Sequence, residues 1–136
     1  MSDNLIKELI AAAIEARKNA YVPYSGFKVG AALLTADGSI ISGCNVENAA
    51  FSPTICAERT AISAAVALGH KKFGSIAIVG GKDALADNCY PCGVCRQTLV
   101  EFCPPDFPII IAQSHENYKI MTLAKLLPHS FGPENL

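Results

Sequence analysis

The sequence predicts an α/β fold, a three-layer α/β/α sandwich around a mixed five-stranded sheet. Three observations lead there. An amphipathic helical stretch comes first, a hairpin of two apolar strands follows, and after it strand-length and helix-length apolar segments alternate. Hairpin strands pair antiparallel and strand–helix–strand crossovers pair parallel, so the sheet is expected to mix both. A chain of 136 residues fits one domain, residues 1–136, and can bury a core.

The elements follow in order. Between Asp3 and Ala20, residues Leu5, Ile6, Leu9, Ile10, Ala13 and Ile14 share one helical face. A polar-aromatic loop, Val-Pro-Tyr-Ser-Gly, ends at Gly26. Phe27–Thr35 and Ser39–Val46 read as strands around the turn Ala-Asp-Gly. A second helix is expected to start near Thr54, an N-cap after Pro53, and to run to Gly69. Phe73–Val79 is a short buried strand. A third helix is expected to open at Pro91, a residue suited to a first helical position, and to end near Phe102. Strands at Phe107–Ala112 and Tyr118–Met121 and a short helix, Leu123–Leu127, complete the order.

Composition excludes several classes. The 11 Lys and Arg residues are scattered and balanced by 12 Asp and Glu, a net charge of -1, so no polyanion-binding surface is expected and no nucleic-acid partner. That argument concerns polymers and does not touch a single nucleoside. The apolar share of 51% lies at the upper edge of the globular norm and hints at subunit interfaces. The first ten residues hold acids and lack a basic start, and no apolar run approaches the ~20 residues that span a bilayer. A cytoplasmic protein with no membrane partner is therefore expected, in which six cysteines are metal or catalytic groups rather than a disulfide frame.

Cys92 and Cys95 stand three apart at a helix start, in Pro-Cys-Gly-Val-Cys, and so face one way. Cys56 lies at the start of another predicted helix. The partial positive charge of a helix N-terminus favours the thiolate that zinc requires. Three thiolates would hold one Zn²⁺ and leave its fourth position open, the mark of a catalytic site. Two other readings compete. A Cys-x-x-Cys pair alone also serves redox chemistry, though that leaves Cys56 unexplained, and a structural four-cysteine site could recruit Cys89, Cys44 or Cys103. Glu58, two residues after Cys56, favours the open site. A carboxylate there can move protons at the metal's free face without being a ligand. In a first helical turn it could also be a mere dipole partner, but Cys-Ala-Glu followed by Pro-Cys-x-x-Cys is far more specific.

Thr-Ile-Cys-Ala-Glu-Arg-Thr-Ala-Ile with Pro-Cys-Gly-Val-Cys-Arg-Gln resembles the cytidine deaminases in their short, homotetrameric, three-cysteine form. The likeness extends to Pro23–Ala32, to Gly-Cys-Asn-Val-Glu-Asn-Ala at Gly43–Ala49, and to Leu-Leu-Pro-His-Ser-Phe-Gly-Pro near the end. It implies one zinc per chain on Cys56, Cys92 and Cys95, with Glu58 as the proton carrier. The implied reaction is hydrolytic deamination of cytidine and 2'-deoxycytidine to uridine and 2'-deoxyuridine, with release of ammonia.

The resemblance also implies a substrate site. Asn45 and Glu47 would bind the ribose, chiefly its 3'-hydroxyl, although on residue pattern alone they are a polar strand end capping a loop. Phe27 would wall the pyrimidine, the Ala57 backbone would hold its carbonyl, and the Tyr90 carbonyl would accept from the departing amine. Phe131 would enter a neighbouring subunit's site in a tetramer. Phe51 stands where many relatives have a tyrosine. Arg59 would offset the negative charge of three thiolates. The alternatives are a blasticidin-S-type deaminase, whose members usually lack Asn-Val-Glu-Asn-Ala, and a non-catalytic zinc module closed by Cys89.

Overall fold

The computed structural model describes residues 1–136. Helix α1 spans Asp3–Arg17, capped by the Ser2 side chain, which accepts from the Leu5 amide. Strands β1 (Lys28–Thr35) and β2 (Ile40–Cys44) form the expected hairpin. Then come α2 (Ala57–Ala67), β3 (Phe73–Gly81), α3 (Gly93–Phe102), β4 (Pro108–Ala112), β5 (Tyr118–Thr122) and a single turn, α4 (Leu123–Leu126).

The five strands lie in the order β2-β1-β3-β4-β5. All neighbours are antiparallel except β3 and β4, which are parallel and joined by the crossover through α3. The expected mixed sheet is thus realised. Alternate residues of each strand face opposite layers. Ala32, Ala77, Val79, Ile110 and Ala112 pack against α1 through Ile6, Leu9, Ile10 and Ala13. Ala31, Leu33, Ile76, Ile78, Ile109 and Ile111 face α2, α3 and α4, meeting Ala61, Ile62, Ala65, Leu99, Leu123 and Leu126.

Several boundaries differ from the sequence reading by a few residues. Among them, β1 starts at Lys28 rather than Phe27 and β2 ends at Cys44 rather than Val46. Three differences have a clear physical reason. The first helix stops at Arg17 rather than Ala20, because its last amides turn back to carbonyls three residues away. There Arg17 reaches across to the carbonyls of Lys28 at 3.2 Å and Gly81 at 2.8 Å. Thr54 is not the cap of α2. An antiparallel bridge between Val46 and Ile55 keeps the chain extended to Cys56, which is the N-cap, and the Thr54 hydroxyl accepts from the Asn48 amide instead. Pro91 likewise precedes α3, whose N-cap is Cys92. A helix begun at Pro91 would direct that residue's carbonyl to an amide in the next turn, but it accepts from Arg96 Nε at 2.7 Å.

Close packing sets the depth of α2. A Cβ placed on Gly43 of β2 would lie 2.5 Å from both the Ala57 carbonyl oxygen and the Ala61 amide. Only the absence of a side chain lets the first turn of α2 sit so near the sheet.

Candidate metal centre and substrate site

The starts of α2 and α3 converge. The Cys56, Cys92 and Cys95 sulfurs all lie within 4.8 Å of one another, with Cys56 and Cys92 3.7 Å apart. Two thiolates on one tetrahedral Zn²⁺ are separated by about 3.8 Å, given Zn–S bonds of about 2.3 Å. The donor set and its spacing therefore fit zinc. Both Cys56 and Cys92 are N-caps whose side chains cap nothing, which leaves their sulfurs free to ligate. Cys95 is fully buried, Cys56 half-buried and Cys92 exposed, so the cluster opens to one side.

Electrostatics bind the cluster to its surroundings. The Cys56 thiol is drawn down to about 5, first by a hydrogen bond from Cys95 and then by Arg59. That same contact with Cys56 drives Cys95 upward. Arg59 donates to Cys56 Sγ at 3.6 Å, while its own Nε is buried without an acceptor. Glu58 is only 3% exposed, and burial pushes its carboxyl up to about 7. Glu58 is thus a buried carboxylate close to the sulfurs rather than an exposed one at a helix surface.

The remaining thiols stand apart. Cys89 is not in the three-sulfur group; its sulfur packs over Gly80 next to the edge of the Phe27 ring. Burial raises its thiol to about 12, so it is a poor ligand as placed. Cys103 is buried in the core and likewise raised to about 12, and desolvation raises Cys44. A closed four-cysteine site has no support in this arrangement.

A profile of the cytidine and deoxycytidylate deaminase zinc-binding region matches residues 3–111. The chain belongs to the cytidine deaminase family. A cytidine deaminase of Sporosarcina psychrophila is 46% identical over 131 residues, which cover 96% of this chain and 94% of that protein. One from Halalkalibacterium halodurans is 44% identical over 94% of this chain and 95% of its own length. Among solved structures, the cytidine deaminase of Burkholderia pseudomallei superposes with a TM-score of 0.82 at 41% identity, over 96% of this chain and all of that one. This deaminase is therefore a zinc-dependent hydrolytic enzyme, and its three-thiol cluster is able to bind one metal ion.

The residues expected from the sequence to bind substrate have the following surroundings. The Ala57 amide lies in the first turn of α2, where helix amides lack intrahelical acceptors. Tyr90, 40% exposed, follows Cys89, and its hydroxyl accepts from Lys119 Nζ at 2.9 Å. Asn45 and Glu47 lie just beyond β2 and grip the loop before β1. Asn45 accepts from the Val29 amide and donates to the Phe27 carbonyl, both at 2.9 Å. Glu47 Oε1 accepts from the amides of Tyr24 and Ser25, and Oε2 from the Ser25 hydroxyl. The loop-capping role read from residue pattern is thus real.

Phe131 and Phe51 are 60% and 72% exposed, on the C-terminal segment and on the loop before α2. Phe51 holds a left-handed φ of 62°. Sequence reasoning missed Gln97, whose amide donates to the Phe131 carbonyl at 2.8 Å, and Ser25, the partner of Glu47. A loop serine two residues before an aromatic strand start was the available signal for Ser25.

Proposed function

We propose that this chain deaminates cytidine and 2'-deoxycytidine hydrolytically, giving uridine or 2'-deoxyuridine and ammonia, with Glu58 as the proton carrier. The observation that supports this most is Glu58 itself, a carboxylate 3% exposed and two residues from a thiol of the three-sulfur cluster. Cys56, Cys92 and Cys95 are the proposed zinc ligands, and Zn²⁺ bound there supplies a Lewis acid that makes water nucleophilic near neutral pH. Glu58 takes a proton from the attacking water and delivers it to N3 of the pyrimidine as C4 becomes tetrahedral. It then takes the proton of the new hydroxyl on C4 and passes it to the departing 4-amino group, which leaves as ammonia as the C4 carbonyl forms. The Ala57 amide donates to the pyrimidine carbonyl, and the Tyr90 carbonyl accepts from the departing amine. Phe27 lies against the ring, while Asn45 and Glu47 take the ribose hydroxyls.

No helix of the protein is long and apolar enough to cross a membrane. The proposed role is pyrimidine salvage in the cytoplasm. A homotetramer in which Phe131 enters a neighbouring subunit's site accounts for the exposed rings of Phe131 and Phe51. The activity test is direct. Zinc-loaded protein should lower cytidine's ultraviolet absorbance with equimolar ammonia release, and blasticidin S should be left unchanged. Turnover of blasticidin S in preference to cytidine would refute the assignment.

A further inference from the structure

Phe27 sits outside the sheet, one residue before β1, yet neither of its backbone polar groups is idle. Its amide donates to the Ser25 hydroxyl at 3.0 Å, and its carbonyl accepts from the Asn45 side chain at 2.9 Å. Ser25 in turn donates its hydroxyl proton to Glu47 Oε2. One hydroxyl therefore joins the backbone of the aromatic residue to the carboxylate across the loop, as acceptor from the first and donor to the second.

We propose that Ser25 is a positioning residue for nucleoside recognition, which locks the Glu47 carboxylate and the Phe27 backbone into one rigid unit before substrate arrives. This deepens the reading of Glu47 as a ribose ligand and rests on it.

Geometry favours this over a purely local turn. The loop's own fold is secured without the Ser25 side chain: the Gly26 amide donates to the Val22 carbonyl at 3.0 Å, with Gly26 in the left-handed region at φ 68°. The Tyr24 and Ser25 amides already hold Oε1 of Glu47, which fixes where that carboxylate is but leaves it free to swing about the bonded oxygen. The Ser25 hydroxyl on Oε2 removes that freedom. It is also the strongest influence holding the Glu47 carboxyl below its ordinary range. A hydroxyl that accepts one hydrogen bond becomes a better donor in the next, so the two links strengthen each other. Preorganising a ligand-binding carboxylate in this way lowers the ordering cost of binding. At the far end, Phe27's ring edge rests beside Cys89 over the bare backbone of Gly80. The ring is thus supported by packing, and its main chain by Ser25 and Asn45.

The test uses the zinc-loaded full-length enzyme, whose cytidine turnover sets the baseline; a parent inactive on cytidine would sink the proposed function rather than this role. Ser25→Ala should raise KM for cytidine about ten-fold, the size of one charge-assisted hydrogen bond, with kcat changed less than about three-fold and zinc content unchanged. Ser25→Thr keeps the hydroxyl and should restore KM. Ser25→Cys, a near-isostere with a weak donor, should fall between and covers the case in which Ser25→Ala folds poorly. In a Glu47→Ala background, adding Ser25→Ala should raise KM little further, because both act through one carboxylate. A parental KM in Ser25→Ala, failure of Thr to rescue, or full additivity with Glu47→Ala would each overturn the role.

Discussion

Arg59 donates to Cys56 Sγ across 3.6 Å, from a position three residues later on the first turn of α2. This places a guanidinium directly on one thiolate of the metal cluster. Three thiolates and one Zn²⁺ sum to -1, and a site so charged is a poorer electrophile than one with a neutral ligand. We propose that Arg59 and the two helix N-termini offset that charge when zinc is bound.

Replacing Arg59 by Gln should leave one zinc per chain, because all three sulfurs remain, yet lower kcat/KM for cytidine. Changing Cys56 to His in that background removes one negative charge and should recover part of the loss. Steady-state kinetics beside metal analysis check both variants. Parental kcat/KM in Arg59→Gln would show that the arginine does not tune the centre.

Metal retention should separate the three clustered cysteines from Cys89. Cys56→Ala, Cys92→Ala and Cys95→Ala should each lose zinc on exposure to a competing chelator, since two thiolates hold it far less well. Cys89→Ala should keep a full complement, because its sulfur packs over Gly80 outside the three-sulfur group. A chelator titration followed by metal analysis reads this, and loss of zinc from Cys89→Ala would contradict the open-site geometry.

Gly43→Ala tests how the sheet positions α2. The added methyl would meet the Ala57 carbonyl oxygen and Ala61 amide at 2.5 Å, so the helix must move outward. Overpacking of this kind costs about 1–3 kcal/mol. Calorimetry should show Tm lowered by several degrees, and weaker zinc retention should accompany it, since α2 bears Cys56 at its start. An unchanged Tm would mean the first turn is looser than the structure shows.

The turn of the β1–β2 hairpin gives a pH prediction. Asp37 is held at about 2, below its usual 3.8, first by a hydrogen bond from the Thr35 hydroxyl and then by the Ser39 amide. A depressed carboxyl contributes stability that is present above its unfolded pKa and lost as pH falls through the folded one. The Tm difference between parent and Asp37→Asn should therefore be constant above about pH 4 and shrink between there and about pH 2. A difference independent of pH would refute the assigned hydrogen bonds.

Features with local causes were legible in the sequence. The apolar face of α1 follows from a helical period of about 3.6 residues, and the hairpin from a turn between two apolar runs. The cluster of Cys56, Cys92 and Cys95 was recognisable because the Cys-x-x-Cys pair and Cys56 both stand at helix starts. Distant causes were not legible. Thr54 looks like a cap, but the Val46–Ile55 bridge extends the chain past it. Pro91 looks like a first helical residue, but Arg96 takes its carbonyl. Ser25 meets Glu47 across 22 residues, a contact that no local period announces.

Glu58, a buried carboxylate beside the three thiols, is proposed to do the proton chemistry, and Glu58→Gln probes that role. Zinc content and cytidine kcat should be measured on the same preparation. The amide fills the same space but cannot carry a proton, so zinc should remain at one per chain while kcat falls by ~10²–10⁴-fold or more. A variant that keeps its zinc and turns over cytidine at a near-parental rate would contradict the account.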